Sequence, residues 1–578
     1  MLKRLGHSVR EFKKYAWISP VLVAIETFIE TFIPYLMSKM IDNGIIPGNL
    51  GYIEKLGGFM LIGTFVSLAG GAGASWYSSK ASTGFAKNLR HDLYHHIQDF
   101  SFEDVDHFST SSIVVRLTTD IMNIQQAFQM LIRAAARAPL MLIFSITMAF
   151  TVDSEMAMVF VVSVPLMAIG LTIIIAIGRP LFRKVYQRYD GLNRVVRENL
   201  RGIRVVKTYN RAETEDKKAA NASARIYEVF SKAERILQLN SPIMQFVMYG
   251  TLLFLAWFGA KRIVAGSMQT GQLGSLIAYA MSVLMSLNIL SNVFNQMTIS
   301  LASAQRIDEV LTYKSTLTNP KEPVTTVKNG AIEFDHVNFA YADDHVDRLT
   351  DINLHIKPGE TIGIIGETGS GKSTLVQLIP RLYDVNQGTV RVGNCDVRDY
   401  DIRTLRDNVS MVLQQNVLFS GSIADNLRWG DEHATNAQLI KAAKLAQADE
   451  FIQSLPDGYD TYIEQGGSNV SGGQKQRLTI ARALLKKPKI LILDDSTSAV
   501  DTHTDSLIQE AFHDELPDMT KLIIAQRISS VQGADRIVVL NDGKIEAVGT
   551  HDELMESDPV YQDIYNSQIK GGESHAKN

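Results

Sequence analysis

Nine consecutive residues, Gly366-Glu367-Thr368-Gly369-Ser370-Gly371-Lys372-Ser373-Thr374, have the types and spacing to hold a polyphosphate. They follow a short apolar run, Thr361–Ile365, and open into Leu375–Ile379, which reads as helix. Strand, glycine-rich turn and helix is the order a phosphate-binding loop requires. The glycines let successive backbone N–H groups turn inward, and the helix N-terminus adds partial positive charge. Lys372 is then expected to reach the β- and γ-phosphates, and the Ser373 hydroxyl to ligate Mg2+.

A second run, Lys489-Ile490-Leu491-Ile492-Leu493, reads as a buried parallel strand ending in two carboxylates, Asp494 and Asp495. Downstream of a phosphate loop, Asp494 is the expected direct or water-mediated Mg2+ partner. Between the two lies Ser471-Gly472-Gly473-Gln474, a serine and two glycines leading into a helix. That is a second anion-binding terminus, without a lysine of its own.

These motifs need a soluble α/β frame, and from Ala331 onward the chain supplies one. Short β-branched runs (Ile332–Phe334, Thr361–Ile365, Lys489–Leu493, Leu522–Ile524, Ile537–Leu540) alternate with helical stretches. The first ~300 residues are different, because they hold nearly all the long apolar runs. Six segments approach the ~20 residues needed to cross a bilayer. They are roughly Trp17–Ser38, Ile53–Tyr77, Leu131–Val152, Met156–Gly178, Ser241–Ala260 and Leu273–Ile299.

The turns at Asp42-Asn43-Gly44 and Asp153-Ser154-Glu155 carry no Lys or Arg. The N-terminus carries Lys3, Arg4, Arg10, Lys13 and Lys14, and the stretch after Arg179 is densely basic. The positive-inside rule puts the N-terminus and both long loops, about Ser78–Met130 and Arg179–Asn240, in the cytoplasm. Only Lys261 and Arg262 run against that pattern. Periodic apolar residues such as Leu192, Val195, Val196, Leu200 and Ile203 predict that the membrane helices continue into the cytosol.

Glu26 and Glu30 sit mid-span, four apart and so on one helix face. A charge there costs about 2.5–3.5 kcal/mol, so both need a wet cavity or a partner. Two readings are open: an anionic lining for cationic substrates, or helix–helix contact with the acids paired to Arg133 or Arg137 or simply protonated. The last span holds Met281, Met285, Met297, Asn288, Asn292, Asn295 and Gln296. They read either as an adaptable binding wall or as ordinary packing.

The whole chain of 578 residues has a net charge of only −4, so no nucleic-acid partner is implied. A single cysteine, Cys395, excludes an intramolecular disulfide and a Cys-rich metal site. The basic start runs straight into a spanning segment, so no cleavable leader is expected. A polar stretch with Pro320 and Pro323 separates the halves. The expected plan is a six-span all-α membrane domain (1–311), a linker (312–330), an α/β P-loop ATPase domain (331–568) and a polar tail (569–578).

The phosphate loop, the Ser-Gly-Gly-Gln signature and the strand ending in Asp494 resemble the ATPase domain of ABC transporters. Six spans followed by one such domain is similar to ABC exporter half-transporters, and the resemblance covers nearly the whole chain. It implies ATP and Mg2+ as ligands, with Tyr341 stacking on adenine. Gln414 would touch Mg2+ and the attacking water, and Asp501 would lie at a dimer-facing turn. Short helices near Phe102–Ser109 and Thr208–Glu215 would be the coupling helices that dock on the ATPase domains. In this family each ATP lies between the phosphate loop of one domain and the signature of another, which implies a dimer.

Two positions depart from the family pattern. The residue after Asp494 is usually Glu and here is Asp495; the switch residue is usually His and here is Gln526. In addition, Gln465 stands where Glu usually precedes the signature. Asp is shorter than Glu by one C–C bond, about 1.5 Å, and displacements of ~1 Å can cost ~10²-fold. The chain therefore resembles the degenerate-site subunit of a heterodimeric multidrug exporter. It would hold ATP, hydrolyse it slowly and lend Ser471–Gln474 to a partner that carries Glu and His. A homodimeric lipid flippase in which Asp495 is tolerated, and an ATP-gated channel or regulatory protein, are the alternatives.

Overall fold

The computed structural model describes residues 1–341, 346–495 and 500–575. They fall into two units, residues 1–98 with 111–313, and residues 99–110 with the remainder from 314 onward.

The first unit is helical. Its main elements are α1 (Lys13–Met40) and α2 (Leu50–Gln98); the short α3 (Phe102–Phe108) that follows belongs to the second unit. The first unit resumes with α4 (Ile121–Ile132), α5 (Ala134–Val152), α6 (Ser154–Arg201), α7 (Ala212–Gln238), α8 (Asn240–Val264) and α9 (Thr270–Thr312). Among the described residues, six helical stretches are long and apolar enough to cross a membrane. With 49 and 48 residues, α2 and α6 are each about 70 Å long at ~1.5 Å per residue. Hydrocarbon needs about 30 Å of that. The excess continues past the membrane, as the apolar periodicity predicts.

Burial in this unit is inverted relative to a soluble protein. Trp17, Phe65 and Phe246 are exposed, while Ser19, Thr27 and Thr31 on α1 are buried. Ser19 donates to the Ala74 carbonyl at 3.1 Å, the Thr31 hydroxyl to the Thr27 carbonyl at 2.9 Å, and the Tyr279 hydroxyl to the Thr31 carbonyl at 3.1 Å. Such bonds are needed where no water competes. Arg262, which ran against the charge pattern, lies 3.0 Å from both Asp153 and Glu155. The acidic turn between α5 and α6 thus neutralises it.

The second unit carries two main sheets and a two-stranded pairing of Gly421–Ser422 with Tyr462–Ile463, and its helices include α10 (Lys372–Gln377), α11 (Gly472–Leu485) and α12 (Thr502–Glu515). A four-stranded antiparallel sheet has the order β2-β1-β4-β5, from β1 (Ile332–Phe339), β2 (Leu349–Ile356), β4 (Gln387–Val392) and β5 (Cys395–Asp396). A six-stranded sheet has the order β10-β9-β3-β8-β7-β6. Its members are β3 (Thr361–Ile365), β6 (Val409–Val412), β7 (Ile490–Asp494), β8 (Thr520–Ile524), β9 (Arg536–Asn541) and β10 (Lys544–Gly549). All pairs in it are parallel except β9 with β10. Every residue of β7 and β8 is buried, as parallel strands covered on both faces must be. One core, with Ile362, Ile364 and Leu375, fills the space toward the antiparallel sheet; another, with Leu478, Ile508 and Tyr561, lies under the helices.

The polar stretch expected to be a linker is only partly one. α9 runs to Thr312, and beyond it Leu317 and Val327 are buried; Val327 belongs to the core of the antiparallel sheet. The expected tail from 569 continues a helix, α13 (Pro559–His575), through His575. Its residues 576–578 lie outside the described residues.

Candidate functional site

In the six-stranded sheet β8 lies between β3 and β7, with Ile524 in register with both Ile364 and Asp494. The carboxyl ends of three strands therefore meet at one edge. The phosphate loop follows β3, Asp494 and Asp495 end β7, and Gln526 follows β8. This is where a parallel α/β sheet offers a crevice.

A cleft of about 300 Å3 opens there, lined by Tyr341, Arg348, Thr368, Gly369, Gly371, Lys372, Ser373, Thr374, Gln414, Asp494, Asp495 and Gln526. The loop needs its glycines. A Cβ on Gly366 would lie 2.1 Å from the Leu540 carbonyl oxygen, and Gly371 caps the following helix, Lys372–Gln377, at φ +96°. Ser370 is buried at the turn, and Lys372 folds over the loop, donating to the carbonyls of Gly366 and Glu367 at 2.8 and 2.7 Å. Tyr341 stands at the other end, its hydroxyl 3.0 Å from Thr374 Oγ1.

The electrostatics suit a charged ligand. Burial pushes the Lys372 ammonium below its ordinary pKa, against the pull of Asp494 and Asp495. Burial also raises the Asp494 carboxyl; the Ser373 hydrogen bond and Lys372 pull it down, Asp495 adds to the rise, and the balance stays upward. Ser373 donates to Asp494 Oδ1 at 2.9 Å. A buried carboxylate short of positive charge, a hydroxyl beside it and the Gln414 amide in the same cleft make a hard oxygen donor set. They fit a divalent cation of the Mg2+ type. Ser373, Asp494 and Gln414 would hold that cation, which would offset phosphate charge when bound. Among the described residues no cluster of three His, Cys, Asp or Glu could hold a metal without the nucleotide.

Asp495 adopts φ +49°, a left-handed backbone that Asp tolerates and that is common at functional sites. Its N–H donates to the Ile524 carbonyl at 3.0 Å. Its Oδ2 accepts from Gln526 Nε2 at 2.7 Å and from Gln414 Nε2 at 3.4 Å. Two amides thus occupy Oδ2, one of the two carboxylate oxygens that a general base could turn toward water.

Ser471, Gly472, Gly473 and Gln474 do not line this cleft. Ser471 caps the helix Gly472–Leu485: its hydroxyl accepts from the Gln474 N–H at 3.3 Å, and Gln474 Oε1 accepts from the Ser471 N–H at 2.9 Å. Ser471 and Gly472 are exposed. Asp501, also exposed, caps Thr502–Glu515 through the Thr504 N–H at 2.9 Å. Local capping alone accounts for both positions in the isolated chain.

In the first unit, Glu26 and Glu30 share one cation: Arg137 Nη1 lies 3.1 Å from Glu26 and Nη2 lies 2.6 Å from Glu30. Of the two partners the sequence left open, the structure selects Arg137. Met281, Met285, Asn288 and Asn292, spaced to share one side of α9, are all exposed; the Asn295 side chain lies outside the described residues.

The first expected coupling helix is α3, closed by a full capping box between Ser101 and Asp104. The second is displaced: Thr208–Glu215 spans the end of a six-residue helix, Ile203–Thr208, and the start of α7. Tyr209–Arg211 break the path, so no separate helix forms over the expected range. Sequence reasoning missed Arg348, which lines the cleft just before β2, where no motif marks it. It also missed Gln568, on α13.

Residues 16–287 match the ABC transporter transmembrane region, and residues 349–498 match the ABC transporter family. The chain is 37% identical to the ABC transporter ATP-binding protein YfiB of Bacillus subtilis, over 98% of this chain and 99% of that one. It is 29% identical to the ATP-dependent lipid A-core flippase of Desulfotalea psychrophila, over 98% and 99%. A bacterial Atm1-family ABC exporter with ATP bound has the same fold, with a TM-score of 0.82, 22% identity, and coverage of 97% and 99%.

Proposed function

The chain belongs to the ABC transporters, as a half-transporter with its membrane region and ATPase in one polypeptide, and on that premise we propose that it is the weakly hydrolysing subunit of a heterodimeric exporter. The observation that carries the reading is the pair Asp495 and Gln526. A short carboxylate stands where the general base belongs, and the switch amide, which cannot titrate, donates to it at 2.7 Å. The Ser471–Gln474 signature, intact, outside the chain's own cleft and with Ser471 and Gly472 exposed, supports use by a second chain.

Tyr341, Gly366–Thr374 and Asp494 hold Mg-ATP in this reading, with Gln414 at the cation and the attacking water. Asp501 faces the partner. ATP binding favours the closed ATPase pair and opens the membrane cavity outward, because the closed state has the higher affinity. The cargo is a hydrophobic or cationic drug-like compound or a lipid. The exposed Met281, Met285, Asn288 and Asn292 face supports an adaptable cavity wall. The flippase relative favours a second reading, a homodimer that moves lipids.

The full-length protein purified alone and reconstituted in lipid tests the assignment. Little ATP turnover is expected, and Asp495→Glu with Gln526→His should raise turnover of the complex about tenfold or more. A brisk ATP-driven pump from the chain alone, or no gain from the paired substitution, overturns the reading.

A further inference from the structure

The segment after β8 is held from behind by a helix far along the chain. Gln568 Nε2 donates to the Gln526 carbonyl at 2.8 Å, and Gln568 Oε1 accepts from the Ile528 N–H at 3.0 Å. One side-chain amide thus satisfies both backbone groups flanking Arg527, as a neighbouring strand would. The front of the same segment is the Gln526 side chain, 2.7 Å from Asp495. Its far end is tied as well, since Ser530 donates to Asp505 Oδ2 at 2.7 Å.

The clamp has a firm base. On α13, Tyr561 is fully buried and its hydroxyl lies 2.8 Å from His551 Nδ1, while Ile564 and Tyr565 pack on the core beneath the helices. Tyr561, Ile564, Tyr565 and Gln568 are spaced i, i+3, i+4, i+7, so the amide extends the buried stripe by one turn. A polar group ending an apolar stripe and making two bonds to one distant segment is fixed in position by the packing behind it.

We propose that Gln568 is a positioning residue that keeps Gln526 engaged on Asp495, so that α13 restrains hydrolysis at this chain's own site. The inference rests on the reading of Asp495 as the weak base. It gives the C-terminal helix a second duty beyond packing: moving it by about one turn withdraws the clamp and lets water take the place of the Gln526 amide on Asp495 Oδ2, leaving only the longer Gln414 contact there.

The test uses the full-length transporter in lipid, loaded with α-labelled ATP, and follows conversion of retained ATP to ADP. Gln568→Ala is expected to speed conversion about five-fold, the worth of the one ordinary hydrogen bond that holds the Gln526 carbonyl, with the KM for ATP unchanged. Gln568→Glu, which loses the donor to Gln526, should behave likewise, and Gln568→Ala added to Gln526→Ala should give no further gain. Damage to packing alone lowers turnover, so a faster rate separates positioning from structure. An unchanged or slower rate in both Gln568 variants overturns the proposal. If the gain survives Asp495→Asn, the restraint stands and the role assigned to Asp495 falls.

Discussion

The hydroxyl of Tyr383 donates to Asp106 Oδ2 at 3.0 Å. Asp106 belongs to α3, and the Tyr383 ring meets Tyr341 nearly perpendicularly, with centroids 5.2 Å apart. A buried aromatic thus stands between the helix expected to couple to the membrane domain and the tyrosine expected at adenine. Burial, with Asp106 beside it, pushes the Tyr383 phenol well above its usual range, so it remains a donor at any physiological pH.

Tyr383→Phe keeps the ring contacts and removes only this bond. A hydrogen bond to a carboxylate is worth about 1.5–3 kcal/mol, less where the acceptor meets water, as Asp106 does. The expected result is a several-fold fall in substrate transported per ATP hydrolysed, with ATP affinity within about two-fold of wild type. Asp106→Asn should produce the same fall, and the double variant no more. Additive losses would assign the two residues to separate roles.

This link lies beyond what the sequence makes legible. The phosphate loop, Asp494 and the signature are local patterns, each fixed by what a few adjacent backbone groups must do, and the structure brings Tyr341, Gln414 and Gln526 to the same cleft. The six spans are legible because the hydrocarbon tolerates so little else. The antiparallel sheet is less so. β2 reads Leu-Thr-Asp-Ile-Asn-Leu-His-Ile, an edge strand in which buried positions alternate only from Ile352 onward, and its Asp and Asn residues look like a turn. Gln568 and Tyr383 act through partners 42 and 277 residues away, and nothing in their neighbours marks them. The choice of Arg137 over Arg133 depends on which face of α5 meets α1, which a span prediction does not contain.

That choice has a measurable consequence. Arg137 carries one positive charge against two carboxylates, and Glu26 Oε2 is buried without a hydrogen-bond partner among the described residues. The space is tight, since a Cβ on Gly71 would lie 2.8 Å from Glu26 Oε1. Arg137→Ala strands both acids within the span, and removing one partner of a buried pair costs about 3–5 kcal/mol. Folded yield and melting temperature should fall sharply. Adding Glu26→Gln and Glu30→Gln should restore most of the loss, because the charges are then removed together. If those two Gln substitutions also weaken transport of cationic compounds more than neutral ones, the residual negative charge serves the cargo; equal loss assigns the triad to packing.

Asp104 supplies a pH-dependent test of how α3 is held. Its carboxylate accepts from the Ser101 N–H at 2.7 Å, from Ser315 Oγ at 2.6 Å and from the Thr316 N–H at 3.3 Å. Ser101 Oγ lies 2.8 Å from Thr316 Oγ1, so the helix start and the chain after α9 share one network. Burial pushes the Asp104 pKa up, but the hydrogen bonds from Ser315, Ser101 and Thr316 together outweigh it, and the net shift is downward. A carboxylate whose pKa is lower in the folded state contributes stability above its unfolded pKa, about 4, and loses it as pH falls through the lower folded value. Above pH 5 the contribution is therefore constant; below 4 it declines. Asp104→Asn keeps the shape but removes the charge. It should melt at a lower temperature than wild type at pH 7, and the gap should close as pH drops toward 3. A gap that stays constant through that range would mean that the charge of Asp104 contributes nothing to anchoring the helix, and that Ser101 and the linker hold it by shape alone.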